Sequence, residues 1–167
     1  LLLTVLIYNQ CYAEVQEYQV KSVFLYNFAN FIKWPQTTFS SPNTPFNICI
    51  FGDDPFNQNI DITVKNEKID QRIVIIRRLN DLTNVSICQI LFISRSETIY
   101  LKDILITLQK HPILTVSDID TFVIAGGMIQ FFVQSRRVSF YIAPDILKQT
   151  NLKASANLLR VAKIFRR

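Results

Sequence analysis

Two adjacent carboxylates, Asp53 and Asp54, follow the apolar run FNICIF in the stretch Gly52-Asp53-Asp54-Pro55. Paired acidic oxygens at the end of a strand suit a divalent cation or a phosphoryl group, and open α/β sheets place ligands at that end of their strands. The same residues have a structural use, because Asp54 can cap a helix whose first position suits Pro55. The single histidine, His111, stands near Ser117 and Asp118, the residue types of a hydrolytic triad. No G-x-S-x-G elbow accompanies them, and His-Pro after a helical run is an ordinary helix ending, so His111 is read as structural. The cysteines lack C-x-x-C spacing, which argues against redox exchange and zinc, and neither the dinucleotide nor the P-loop fingerprint occurs. Gly126-Gly127 is more informative in a chain of 3 glycines: adjacent glycines before a strand imply positive φ or close backbone approach, in a packed turn or beside a small ligand. Asp53, Asp54, Gly126 and Gly127 are therefore the ligand-binding candidates. No catalytic residue, metal site or cofactor is read from the sequence.

The elements that would position these residues alternate in type. Apolar residues recur at Val20, Phe24, Phe28 and Phe31, with Val23 and Ile32 beside them, which predicts a helix ending before Pro35. Its polar positions, Lys21, Asn27, Asn30 and Lys33, are few, so the helix is expected to be covered on more than one side. FNICIF, IVIIRRL (73–79), CQILFIS (88–94) and PILTVSD (112–118) read as buried parallel strands. An amphipathic helix over 94–110 carries Ile99, Leu101, Ile104, Leu105 and Leu108 on its apolar side. MIQFFVQ and RVSFYIA form a hairpin around Ser135-Arg136. Helices over 144–149 and 153–165 close the chain, the latter with Leu152, Leu158, Leu159, Val161 and Ala162 in a stripe. The pattern predicts an α/β fold, a three-layer α/β/α sandwich with a mostly parallel sheet and a C-terminal antiparallel hairpin.

At 167 residues, 49% hydrophobic and 19% charged, the chain fits one domain with its own core. The formal charge of +5 comes from scattered Lys and Arg without a basic block, which argues against nucleic acid as a partner. LLLTVLIYNQCYA (1–13) reads as the end of a signal peptide truncated at its start, with cleavage after Ala13 and a single domain over 14–167. The apolar run is too short to span a bilayer. Export places Cys49 and Cys88 in an oxidising compartment, where a disulfide is the natural reading and two buried free thiols the alternative; a bond closing a loop of about 40 residues is worth on the order of 4 kcal/mol. The residues thus describe an exported α/β domain without visible catalytic machinery.

Six runs together resemble the YfiR family of bacterial periplasmic proteins: VKSVFLYNFANFIKWP (20–35), FNICIFGDDPF (46–56), CQILFIS (88–94), ILTVSD (113–118), GGMIQFFVQSRRVSFYI (126–142) and LKASANLLRVAKI (152–164). They stand in family order over nearly the whole of 14–167. The resemblance implies a Trp34-Pro35 helix ending, a Cys49–Cys88 pair, and a non-enzymatic repressor that binds the periplasmic region of an inner-membrane diguanylate cyclase, lowering cyclic-di-GMP and biofilm growth. It also implies a homodimer and small-molecule or redox input. Gln130 stands where many relatives have Asn, Ala143-Pro144 replaces a polar ending, and a second disulfide of some members has no cysteines here. An apolar patch from the first helix or the C-terminal region is the expected partner surface, with Tyr26 and Trp34 as the first contact residues to test. The competing reading is a stand-alone small-molecule-binding sensory module.

Overall fold

The computed structural model describes the backbone of residues 2–166 and the side chains of residues 13–166; the expected leader, except for Ala13, lies outside the described side chains. In chain order the elements are α1 (Leu2–Phe31), β1 (Ile32–Lys33), β2 (Phe46–Phe51), α2 (Gln58–Val64), β3 (Lys68–Ile69), β4 (Arg72–Leu79), β5 (Ile90–Ile93), α3 (Leu101–Leu108) and β6 (Leu114–Ser117). There follow α4 (Phe122–Ala125), β7 (Ile129–Gln134), β8 (Arg137–Ile142), α5 (Pro144–Gln149), β9 (Lys153–Ala154), α6 (Ala156–Val161) and β10 (Lys163–Ile164).

Eight strands form one sheet in the order β10-β8-β7-β6-β5-β2-β4-β3, and β1 pairs with β9 in a separate two-stranded ribbon. The β4-β2-β5-β6-β7 run is parallel, β7-β8 is the antiparallel hairpin, and β3 lies antiparallel on the β4 edge. Strand alternation divides the interior in two. Ile48 and Ile50 of β2 and Ile90 and Phe92 of β5 face the larger core, shared with Leu25 and Phe28 of α1, Ile60 of α2, Leu147 of α5 and Leu158 of α6. Cys49, Leu91 and Ile93 face the smaller one, with Leu101, Ile104, Leu105 and Leu108 of α3 and Phe122 of α4. Helices thus cover both faces of a mostly parallel sheet.

Four expected elements are corrected. The buried face of α1 is Tyr18, Lys21, Ser22, Leu25, Phe28 and Ala29, continued by Ile32, whereas Val20 and Phe31 are exposed. Apolar residues surround most of this helix, so periodicity alone left its rotation open; the polar side chains on the buried face are accepted because they find partners. IVIIRRL is a half-exposed strand, with Ile73 exposed, because only the two-residue β3 lies beyond it. Arg95–Tyr100 is a 3₁₀ segment that leaves Ile99 81% exposed before α3 begins. The expected helix over 153–165 is cut to α6 between two short strands, and Val161 is exposed. The pull of the sheet edge and the ribbon overrides local helix propensity there: β9 pairs with β1, and β10 pairs in parallel with β8.

Candidate functional site

A charged cluster sits where α1 crosses the C-terminal ends of β5 and β6. Glu17 and Tyr18 each lie about one turn before Lys21 on α1 and so neighbour it on the helix surface. Asp118 is the first residue after β6, and Arg95 follows β5 by two. Lys21 Nζ donates to Asp118 Oδ2 at 2.6 Å and also pairs with Glu17 Oε1, while the Tyr18 hydroxyl donates to the same Oδ2 at 2.7 Å. Lys21 is 1% exposed and Asp118 2% exposed, so both charges have left bulk water. Such a pair survives only when its geometry and its remaining hydrogen bonds offset the loss of hydration. Two donors converge on Oδ2, but Oδ1 accepts no hydrogen bond; Arg95 Nε stands 3.3 Å from it, on a side chain that is largely exposed.

Asp118 and Tyr18 are pushed in opposite directions. Burial alone would raise the Asp118 pKa, but the charge of Lys21, hydrogen bonds from Lys21 and Tyr18, and Arg95 outweigh it and hold the carboxyl below the usual range. Tyr18 is driven the other way, by burial first and then by its bond to Asp118, and stays a protonated donor. The result is an ionised carboxylate that accepts from a protonated Tyr18 hydroxyl. It opens on a polar cavity of about 400 Å³, bounded also by Glu14, Asp120, Phe131 and Phe132.

A second feature is apolar. The ribbon β1-β9 and the bond from Ser155 N to Phe31 O at 2.8 Å clamp the end of α1 beside α6, whose first turn is capped by Ser155 Oγ accepting from Leu158 N. Between the helices runs a groove of about 310 Å³ lined by Phe24, Phe28, Phe31, Phe140, Leu158 and Val161. This is the expected location for an apolar patch, and the rotation of α1 explains it: Phe24 and Phe31 flank the buried row and turn toward α6.

The residues singled out from sequence are dispersed. Cys49 and Cys88 form a disulfide that links β2 to the turn before β5, with Cα atoms 5.9 Å apart. Trp34 stands edge-on to Phe46 and donates from Nε1 to the Gln89 carbonyl at 3.2 Å; Tyr26 donates its hydroxyl to Glu67 Oε2 at 2.8 Å. Asp54 does not cap α2, which begins at Gln58; its Oδ1 accepts from Phe56 N and its Oδ2 from Arg78 Nε, both at 2.8 Å. Asp53 is exposed, with its backbone N–H donating to Ser96 Oγ. Gly126 has φ of 113° and ends α4, and a side chain at Gly127 would collide with the Phe122 ring. Gly126 lines a separate cavity beside α3 and α5, so the two expected ligand pairs are not brought together. His111 precedes β6 and Asp118 follows it, so the whole strand, itself about 13 Å long, lies between them, while Ser117 Oγ is engaged with Ile93 O and Ile119 N. Sequence reading passed over Tyr18, Lys21 and Arg95; the available signal was Glu17-x-x-x-Lys21, an ion pair at helical spacing inside a strongly apolar helix.

The sequence matches the family described as DUF4154: YfiR/HmsC-like across residues 18–163. The chain belongs to the YfiR/HmsC-like family. No curated protein matches it significantly. The matched span of this YfiR/HmsC-like chain begins at Tyr18 and takes in the charged cluster apart from Glu14 and Glu17, both glycine turns, both cysteines of the disulfide and the whole apolar groove. Its Gln130, where many relatives were expected to carry Asn, is buried and structural: Oε1 accepts from Val123 N and Nε2 donates to Asp120 O. Gln130 thereby ties the segment after Asp118 to β7. Among the described residues no helix is long and apolar enough to cross a membrane, and no cluster of His, Cys, Asp or Glu has metal-binding geometry.

Proposed function

We propose that this protein is a periplasmic regulator, not an enzyme, that binds the periplasmic region of an inner-membrane diguanylate cyclase and represses it, lowering cyclic-di-GMP and biofilm formation. The observation that carries the reading is the YfiR/HmsC-like match over residues 18–163. The α1/α6 groove supports it, since an apolar concavity between helices suits the apolar face of a partner segment. A repressor shifts its partner only by differential affinity, so the groove is expected to prefer the inactive form of the cyclase. Export by the leader at 1–13 and a homodimer belong to the same proposal, and Tyr26 and Trp34 are retained as contact residues outside the groove, Tyr26 beside Glu67 and Trp34 in a separate cavity with Phe39 and Phe46.

Capture from membranes tests the partnership. The tagged protein should retain a diguanylate cyclase, and Val161→Glu, which places a charge on an exposed groove position, should reduce recovery at least tenfold while leaving the fold intact. Equal recovery by wild type and variant would remove the groove from the proposal, and absence of any cyclase would remove the partner. The second reading, a stand-alone sensory module, is favoured by one observation: the polar cavity around Asp118.

A further inference from the structure

The cavity at the C-terminal edge of β5 and β6 runs against the charge of the molecule around it. The chain carries a formal charge of +5, yet among the described residues that line the cavity Glu14, Glu17, Asp118 and Asp120 face Lys21 and Arg95, a net negative lining. At its floor, Asp118 is 2% exposed and its Oδ1 has no hydrogen bond. An ionised carboxylate oxygen that is buried without a donor is costly, and native structures rarely leave one so. The single proton of the Tyr18 hydroxyl is committed to Oδ2, and Lys21 Nζ directs its bonds to Oδ2 and Glu17 Oε1, so neither donates to Oδ1. Arg95 lies 3.3 Å away but is not aligned to donate, and its side chain is 63% exposed. Phe131 adds an aromatic wall, with its ring 5.9 Å from Lys21 Nζ. An acceptor at the bottom, carboxylates around it and an aromatic face at the side are complementary to an organic ammonium group, which needs acceptors and a ring face and brings no acceptor of its own.

We infer that this cavity is a binding site for a small organic cation, whose ammonium group donates to Asp118 Oδ1 while Glu14 and Asp120 hold it electrostatically. Arg95 is the group it displaces. The location agrees with the tendency of parallel sheets to bind ligands beyond the carboxyl ends of their strands. The site is distinct from the apolar groove, and the inference does not depend on the cyclase reading, because binding is measured on the isolated protein.

The probe is 1,4-diaminobutane, titrated into the full chain by calorimetry and by NMR, with glutamate as an anionic control. Saturable binding of the diamine, with shifts centred on Tyr18 and Phe131, is expected, and glutamate should produce neither. Asp118→Asn should abolish binding. Since that substitution also disturbs Lys21, the exposed pair Glu14→Gln/Asp120→Asn provides a variant expected to fold normally and to bind the diamine roughly threefold to tenfold more weakly, as for two screened surface charges. No saturation by about 10 mM, where even weak specific sites fill, would overturn the inference. So would binding that is unchanged in the rim variant, or preferential binding of glutamate, which would make Arg95 the anchor.

Discussion

Asp118 and Lys21 show how one buried ion pair shapes the molecule around it. Neither charge tolerates losing its partner in a site from which water is nearly excluded, so Lys21→Met should cost about 3–5 kcal/mol of unfolding free energy, measured by urea denaturation. The double variant Lys21→Met/Asp118→Leu removes both charges and should recover most of that loss; a double variant as unstable as the single would show that packing, rather than the stranded carboxylate, carries the cost. The pair also sets a pH dependence. Asp118 has a folded pKa held below its ordinary 3.8, so its contribution is fully present above about pH 4 and disappears as the pH falls through the folded value. Stability of the wild type should therefore decline below about pH 4, and Asp118→Asn should flatten that part of the profile. This site was barely legible in the sequence. An aspartate after a strand and a lysine in an aromatic helix are separated by 97 residues, and only the crossing of α1 over β6 brings them to 2.6 Å.

At the scale of elements, local chemistry was legible wherever it decided the outcome alone. The β7-β8 hairpin turns at Ser135-Arg136, both at positive φ, where the run of alternating residues placed it. Gly126-Gly127 mark a helix end and a close approach: Gly127→Ala pushes a methyl group into Phe122 and should destabilise by about 1–3 kcal/mol, seen as a lowered Tm. A Tm unchanged within a degree or so would mean that Phe122 moves aside freely. The cysteines, each within or beside an apolar run, do pair; Cys49→Ala/Cys88→Ala should lower stability by up to about 4 kcal/mol in the chain-entropy account, and a reducing agent should lower the wild-type Tm in the same direction. What local pattern did not reveal was rotation and competition. The α1 stripe lies about one residue round from where Phe24 and Phe31 put it, because Lys21 and Ser22 are buried with partners. Residues 153–165 have a helical stripe, yet their ends are taken by β1 and β8, non-local pairings that no local window contains.

For the whole molecule, the alternation of strands and helices made the α/β architecture and its largely parallel sheet legible, since continuous apolar runs such as FNICIF demand cover on both faces. The proposed partner surface was expected only as a region, α1 or the C-terminus, and the structure brings these two together, because the β1-β9 ribbon fastens one beside the other. Its apolar lining was written into the sequence as residues that looked like core on both helices, and their exposure at Phe31 and Val161 follows from the short α6 covering too little of α1. Repression by the proposed regulator is assigned to that groove. The most direct measurement is cyclic-di-GMP synthesis by a membrane-bound diguanylate cyclase recovered with this protein, assayed with wild type and with Val161→Glu at equal concentration. Wild type should suppress synthesis and the folded variant should release it; a folded variant that suppresses synthesis as fully as wild type would contradict the account.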